Sequence, residues 1–178
     1  MKLLIILFLL LLIALGGGVY YYLKSEKQAR QISITNFEEC VAAQSVVMEM
    51  YPRVCRTPDG RSFTENIGNE LELMDIIHVS VPRPNIMIQS PLLIEGEARG
   101  QWFFEANFPV RLLDETGKEI AKNFATAQGE WMTENFVPFT ATLEFAPQTG
   151  KKGTLLIENA NPSGLPENAK KLSIPVKF

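Results

Sequence analysis

The chain has 178 residues, enough for one domain of ordinary size and an accessory segment. Lys2 and Lys24 are the only charged residues before Ser25, so residues 25–178 carry 15 basic and 20 acidic residues, a net charge of −5. A mildly acidic surface without basic runs excludes nucleic acid as the expected partner, because phosphate binding needs clustered Lys and Arg. Two cysteines and one histidine are too few for a Cys/His zinc site, and we expect neither metal nor cofactor.

Residues 1–24 predict a transmembrane signal anchor. The run from Leu3 to Leu23 has 21 residues and no charge. As a helix it would reach ~30 Å, the hydrocarbon thickness of a bilayer. The alternative is a secretory signal peptide cleaved near Ala14-Leu15-Gly16. We favour the anchor because the apolar run continues past that point through Tyr20, Tyr21 and Tyr22, which resemble an interfacial aromatic belt.

The side of the membrane on which the chain continues is set by two opposing signals. Lys24, Lys27 and Arg30 come after the apolar run, and counting positive charges would place the residues beyond them in the cytoplasm. Signal anchors this close to the N-terminus commonly export the rest of the chain, and a cysteine pair fits an oxidising compartment. We therefore expect a single-pass protein of the cell membrane, held through residues 3–23, with its C-terminal part extracytoplasmic.

A short polar stalk, residues 25–35, precedes a small cysteine-containing segment over residues 36–68. Asn36 is a suitable N-cap for a short helix that would turn Cys40 inward. A disulfide between Cys40 and Cys55 would close a loop with 14 residues between them. Such a loop is worth on the order of 3 kcal/mol in loop entropy. This predicts a small disulfide-stapled α/β segment.

The alternative for the two cysteines is a pair of reactive thiols. A reactive thiol needs a nearby base, and the only histidine, His78, is distant in the sequence. The spacing is also not Cys-x-x-Cys. A structural disulfide is the favoured interpretation.

Residues 69–178 predict a mainly β domain. Apolar residues alternate with polar ones in several runs, and alternation places them on one face of a strand. The clearest runs are Trp102, Phe104, Ala106, Phe108, Val110 and Leu112; Val137, Phe139, Ala141, Leu143 and Phe145; and Leu172, Ile174, Val176 and Phe178. The first run predicts one long strand over residues 100–113.

About seven such short strands, separated by turn signals and with no convincing helix, indicate an immunoglobulin-like β-sandwich. Pro109 lies inside the long predicted strand and cannot donate a backbone hydrogen bond, so we expect an edge position or a bulge there. Trp102 is expected to be a core residue.

Several short motifs carry a family resemblance. They include Gly96-Glu-Ala-Arg-Gly, Phe108-Pro-Val-Arg-Leu-Leu-Asp, Ala127-Gln-Gly-Glu-Trp-Met and Glu158-Asn-Ala-Asn-Pro-Ser-Gly-Leu-Pro-Glu-Asn. Over about residues 86–178 the chain resembles the Gmad-type immunoglobulin-like domain of bacterial spore-germination (GerM-associated) proteins. The resemblance implies an exported β-sandwich, often on membrane-anchored proteins, with no established catalytic activity.

The residues themselves do not indicate an enzyme. Glu95 and Glu97 are the nearest approach to a pair of acid catalysts, but they are neighbours on the expected solvent face of one strand. A serine nucleophile would need His78, for which no Gly-x-Ser-x-Gly partner exists.

We therefore expect a non-catalytic binding protein of the bacterial cell envelope, with a protein, peptide or glycan ligand. Its candidate surface consists of the loop Asn159–Asn168 and the segment Gln128–Glu134. The candidate residues are Trp131, Asn159, Asn161 and Glu167.

Other interpretations stay open for this surface. The asparagines would also suit a loop that satisfies its own backbone, Trp131 would suit the core, and Asn159, Asn161 and Glu167 are oxygen donors of the type that Ca²⁺ takes. For the whole chain, the alternatives are a structural spacer that presents the cysteine segment and a spore-germination or sporulation protein of the envelope.

Overall fold

The structure, a computed structural model, describes Gly17, Gly18, Tyr20 and residues 34–178. The chain divides into two units, Met1–Thr64 and Glu65–Phe178. The predicted transmembrane span and most of the predicted stalk lie outside the described residues. Among the residues that are described, no helix is both long and apolar enough to cross a membrane.

The described part of the first unit is a helix packed on a small sheet. Its elements are α1 (Phe37–Ala42), β1 (Val46–Met48), β2 (Val54–Arg56) and β3 (Ser62–Thr64), with the strands antiparallel in the order β1-β2-β3. The side chain of Asn36 accepts a hydrogen bond from the Glu39 amide at 2.8 Å and so caps α1, as predicted.

The predicted disulfide between Cys40 and Cys55 is present and joins α1 to β2, with the two Cα atoms 6.1 Å apart. Both cysteines are fully buried and form a small core with Phe37. A core of this size buries little apolar surface, so the covalent link supplies stability that packing alone cannot.

The second unit contains seven strands and one short helix. These are α2 (Glu70–Leu73), β4 (Ile77–Val81), β5 (Leu92–Arg99), β6 (Asn107–Asp114), β7 (Glu119–Ala127), β8 (Phe136–Leu143), β9 (Lys152–Glu158) and β10 (Lys171–Lys177). The strands pair antiparallel in the order β10-β9-β6-β7-β8-β5-β4. The number of strands agrees with the prediction.

This sheet folds over to form two layers. Strand β7 pairs with β6 along most of its length but with β8 only at Thr126 and Ala127, so the sheet turns over there. At the far ends, a parallel bridge joins Met87 to Lys177 of β10. One layer therefore contains β4, β5 and β8, and the other contains β7, β6, β9 and β10. The expected immunoglobulin-like β-sandwich is confirmed.

The core lies between the two layers and is built from the alternating apolar residues of the strands. Phe108 of β6 sits near its centre, with its ring 4.9 Å from that of Phe139 on β8 and 6.4 Å from that of Trp102. The fully buried members also include Leu112, Leu143, Leu155, Ile157, Leu172 and Ile174. The predicted inward faces of β6, β8, β9 and β10 are therefore correct. The prediction is wrong just before β6, where Phe104 of the predicted inward run is 45% exposed and Phe103 is buried instead.

The single long strand predicted over residues 100–113 is wrong in its first half. Gly100–Trp102 form a 3₁₀ turn, and the strand begins only at Asn107. Glu105 and Ala106 have φ values of 50° and 63°, and the backbones of Phe104 and Asn107 exchange hydrogen bonds of 3.0 and 3.1 Å. The chain thus reverses in a tight turn before β6, and Trp102 reaches the core from the turn rather than from a strand.

The edge position expected for Pro109 holds only locally, because β6 as a whole is an internal strand between β7 and β9. Pairing with β9 begins only at Val110, while Pro109 pairs with Phe124 of β7. Pro109 therefore lies beyond the paired part of β9, which is how an internal strand accommodates a residue without a backbone donor.

We predict that Gly100→Ala destabilises the second unit. A Cβ at Gly100 would lie 2.0 Å from the carbonyl oxygen of Thr133 and 2.2 Å from that of Trp131, so backbone atoms would have to move. Overpacking of this kind lowers the free energy of unfolding by about 1–3 kcal/mol. Urea denaturation followed by tryptophan fluorescence measures it, since both tryptophans belong to this unit.

Gly150→Ala is the matched control for this prediction. Its new Cβ would meet nothing closer than the Glu115 side chain at 3.4 Å. Equal denaturation midpoints for the two variants would contradict the tight packing of the turn at Gly100.

Candidate functional site

A pocket lies at one end of the sandwich, between the 3₁₀ turn at Gly100–Trp102 and the loop that joins β9 to β10. We call it the loop pocket. Its volume is about 350 Å³, within the range of small-molecule sites. The residues that line it are Ile76, Gln101, Trp102, Asn159, Ala160, Asn161, Pro162, Ser163, Glu167, Asn168 and Lys170.

Two backbone hydrogen bonds fix the loop against the turn and against itself. The amide of Ala160 donates to the carbonyl of Trp102 at 2.9 Å. The amide of Asn159 donates to the carbonyl of Lys170 at 3.0 Å and closes the base of the loop. The two walls of the pocket are therefore tied together through main-chain atoms.

The side chain of Asn159 ties the base of the loop a second time. Its Oδ1 accepts from the Lys170 amide at 2.6 Å, and its Nδ2 donates to the Asn168 carbonyl at 3.0 Å. An asparagine satisfies a backbone donor and a backbone acceptor at once, which suits a loop that leaves the sheet. Asn159 therefore shapes the pocket and has little capacity left for a ligand.

A second set of bonds holds the tip of the loop. Asn161 donates through Nδ2 to the Leu165 carbonyl at 2.8 Å, and its Oδ1 accepts from the Ser163 hydroxyl at 2.5 Å. Asn168 donates to the Ser163 oxygen at 3.0 Å. The loop is thus held in shape by its own polar side chains.

The indole nitrogen of Trp102 differs from the asparagine side chains of the loop because it makes no hydrogen bond. The side chain is 1% exposed, and Nε1 is the one buried side-chain polar atom among the described residues that has no hydrogen-bond partner. A buried donor without an acceptor costs about 1–3 kcal/mol. Trp102 is also one of the residues that line the loop pocket.

The remaining polar groups of the pocket are exposed. Gln101, Glu167 and Lys170 make no side-chain hydrogen bond or ion pair with any described residue. Glu167 and Lys170 carry opposite charges, so the lining has no net charge near neutral pH. These three side chains are available to a ligand.

The structure brings together three of the four candidate residues from the sequence, Asn159, Asn161 and Glu167. It does not place Trp131 with them. Trp131 is half-buried, packs against the sandwich core and does not line the loop pocket.

Sequence reasoning missed the residues that other elements contribute. Gln101 and Trp102 come from a turn whose alternating pattern is that of a strand, and Ile76 immediately precedes β4. Lys170 lies just beyond the predicted loop, and no feature of the sequence singles it out.

A second pocket of about 410 Å³ lies against β4 and β5, lined by His78, Val79, Ser80, Arg83, Gly96, Glu97 and Pro138. The Arg83 guanidinium there already donates to Glu70 and to the Val79 carbonyl, at 2.7 Å each. No buried polar atom without a partner lies in this pocket within the described chain. It is the weaker candidate.

Metal binding has no obvious place in the described part of the chain, where no group of three His, Cys, Asp or Glu side chains is close enough to hold an ion. Asn159 and Asn161, which the sequence offers as oxygen donors for Ca²⁺, have their side-chain oxygens engaged within the loop.

A family model described as the immunoglobulin-like domain of bacterial spore germination, Gmad2, matches residues 76–164, half of the chain. The chain belongs to the Gmad2 family. The resemblance recognised in the sequence is therefore confirmed, with the match starting at Ile76 and ending at Gly164. No curated protein and no solved structure matched the chain. Gmad2 membership points to an envelope-related, non-catalytic role.

The Gmad2 match covers most of the loop pocket. It includes the two residues of the turn that line the pocket, Gln101 and Trp102, and the loop as far as Gly164. Glu167, Asn168 and Lys170 lie beyond it.

We predict that Asn159→Ala loosens the base of the loop without unfolding the sandwich. The substitution removes the acceptor of the Lys170 amide and leaves that donor unpaired. A loss of about 1.4 kcal/mol, within the range for such a bond, corresponds to roughly tenfold faster amide exchange at Lys170. Hydrogen exchange followed by NMR measures it.

Asn123→Ala on β7 is the matched control, since its side chain also bonds to a backbone carbonyl and a backbone amide, those of Thr142 and Phe124, outside the loop pocket. Unchanged exchange at Lys170 in Asn159→Ala would show that the side chain does not hold the loop.

Proposed function

We propose that this protein is a membrane-anchored, extracytoplasmic, non-catalytic binding protein of the bacterial cell envelope, and that its ligand occupies the loop pocket. One observation carries the proposal. Three polar side chains that line the loop pocket, Gln101, Glu167 and Lys170, make no hydrogen bond or ion pair with any described residue. Membership of the Gmad2 family supports the envelope setting.

The location rests on the sequence and on the disulfide. The uncharged run from Leu3 to Leu23 is long enough to anchor the chain in a bilayer. The Cys40–Cys55 disulfide supports an oxidising compartment, because such bonds are rare in the cytosol.

A structural spacer is the second candidate. It is favoured by the self-contained hydrogen bonding of the loop, in which Asn159 and Asn161 are occupied with the backbone. A spacer needs no ligand, so binding separates the two functions. A role in spore germination or sporulation is compatible with both the binding function and the spacer function.

The pocket is tested with the full chain in micelles of a detergent without a sugar headgroup. Binding is measured by co-sedimentation with purified peptidoglycan sacculi and on arrays of glycans and peptides. The test variant is Gln101→Ala combined with Lys170→Ala, which removes two free polar side chains from the lining. Each lost bond to a ligand is worth about 1.4 kcal/mol or more, so binding should weaken at least tenfold.

The matched control is Gln89→Ala combined with Lys122→Ala, the same residue types at exposed positions outside the pocket. Equal loss in both double variants, or none in either, would remove the loop pocket as the site. If the chain bound neither the sacculi nor any member of the two arrays, the structural spacer would be the remaining function.

The proposed extracytoplasmic position of residues 25–178 gives a separate prediction. Protease added to intact cells should digest residues 25–178, and the same chain should be digested to the same extent after lysis. Full protection in intact cells would place this part in the cytoplasm and would contradict the proposed location.

A further inference from the structure

We infer that one face of the small sheet in the first unit lies on the surface of the lipid bilayer that anchors the chain. We call it the methionine face. It consists of Val46 and Met48 of β1, Val54 of β2, and Met50 and Tyr51 of the segment that joins these strands. The inference rests on the proposed function, because it needs the membrane anchor over residues 3–23.

The small sheet has one covered face and one uncovered face. Val47, Cys55 and Phe63 are direct partners in neighbouring strands, and all three belong to the small core next to α1. Val46 and Met48 flank Val47 in β1, so they lie on the opposite face. Both are exposed, and the one described helix of this unit packs on the other side.

The uncovered face is polar at one end and apolar at the other. A sheet face that meets water normally carries polar residues, as β3 does with Ser62 and Thr64. The β1 end carries the apolar residues of the methionine face instead. Strand β1 is also the edge of its sheet, and an exposed apolar edge invites association unless something covers it.

The bilayer is within reach of this face because the chain is short between them. Ten residues, 24–33, separate Leu23 at the end of the apolar run from Ile34, which packs on the small core. Ten residues span at most ~36 Å even when fully extended. A surface tethered at that range meets its partner at an effective concentration on the order of millimolar, so weak apolar contacts are sufficient.

The charges and side chains of the methionine face suit a lipid surface. Residues 46–56 include Arg53 and Arg56 against the single carboxylate of Glu49, a net charge of +1. Arg56 is the direct partner of Val46, so it lies on the same face, and β1, β2 and β3 contain no carboxylate. Anionic lipid headgroups attract arginine, tyrosine favours the membrane interface, and methionine adapts to irregular apolar surfaces.

The test reads the methionine methyl groups at a bilayer. The full chain, labelled with ¹³C in these methyl groups, is placed in nanodiscs of phosphatidylcholine and phosphatidylglycerol, one chain per disc. A phosphatidylcholine with a nitroxide near the headgroup end of its acyl chain broadens the signals of methyl groups at the bilayer surface. The Met48 and Met50 signals should be lost.

The signals of Met74, Met87 and Met132 should remain, and they are the internal controls. These three methionines belong to the second unit and are 47%, 59% and 73% exposed, against 40% for Met48 and 56% for Met50. Loss at Met48 and Met50 alone therefore cannot result from greater exposure to the solvent.

A pair of double variants tests the face itself. Val46→Ser with Met48→Ser removes two exposed apolar side chains from β1 and should restore the Met50 signal. Val81→Ser with Met87→Ser is the matched control, the same residue types at exposed positions of the second unit, and should leave the Met50 signal lost. Unchanged Cβ shifts of Cys40 and Cys55 show that the first unit stays folded.

Met1 separates this inference from the anchor, because it lies two residues before the apolar run. Loss of the Met1 signal while Met48 and Met50 match the controls would keep the anchor and overturn the inference. Equal loss at all methionines, or a Met50 signal still lost in Val46→Ser with Met48→Ser, would also overturn it.

A second copy of the chain is the competing occupant. If the Met48 and Met50 signals changed only in discs that hold two chains, the methionine face would be a dimer interface and the inference would be wrong. A Met1 signal that remains would defeat the membrane anchor of the proposed function and the inference with it.

Discussion

The second unit depends on burying Trp102 from a turn. The 3₁₀ turn at Gly100–Trp102 delivers the indole to the core, where it meets Phe108, whose ring also contacts Phe139 in the other layer. The same residue offers its carbonyl to the Ala160 amide and so fixes the loop after β9. Core packing and pocket geometry therefore share one residue. A change that displaces the turn is expected to disturb both, because close-packed interiors transmit displacement rather than absorb it.

The sandwich could be predicted from the sequence because its signal is local. The alternation of Val137, Phe139, Ala141 and Leu143, like that of Leu172, Ile174 and Val176, gives the inward faces of β8 and β10 as they occur. The same rule failed at Trp102 because the reversal after it uses Glu105 and Ala106. Glu and Ala are unusual residues for a turn with positive φ, so the sequence carries no turn signal there of the kind that Asn-Gly gives. An alternating pattern therefore gives burial correctly within a strand but not through the turn, where Phe103 is buried and Phe104 is 45% exposed.

The candidate site could be predicted only where one segment carries it. Asn159, Asn161 and Glu167 belong to a loop rich in Asn, Pro and Gly, and composition alone singles it out. Gln101 and Ile76 reach the same pocket only through the pairing of distant strands, which no local pattern records. Trp131 is the opposite case, a residue that the sequence offered for the site and that does not line the pocket. A tryptophan in a polar segment suits a ligand platform and a core anchor equally well, and only its packing against the core distinguishes them.

The structural and the binding interpretations of the loop are compatible. Asn159 and Asn161 hold it in shape through bonds to its own backbone, so a ligand would not have to order it. A preformed site loses less conformational entropy on binding than a flexible one. What favours a binding site over a spacer is the set of unbonded polar side chains in the lining. Gln101, Glu167 and Lys170 make no hydrogen bond or ion pair with any described residue, whereas Asn159 and Asn161 are engaged within the loop. A ligand would give these three side chains hydrogen-bond partners, which a spacer does not need.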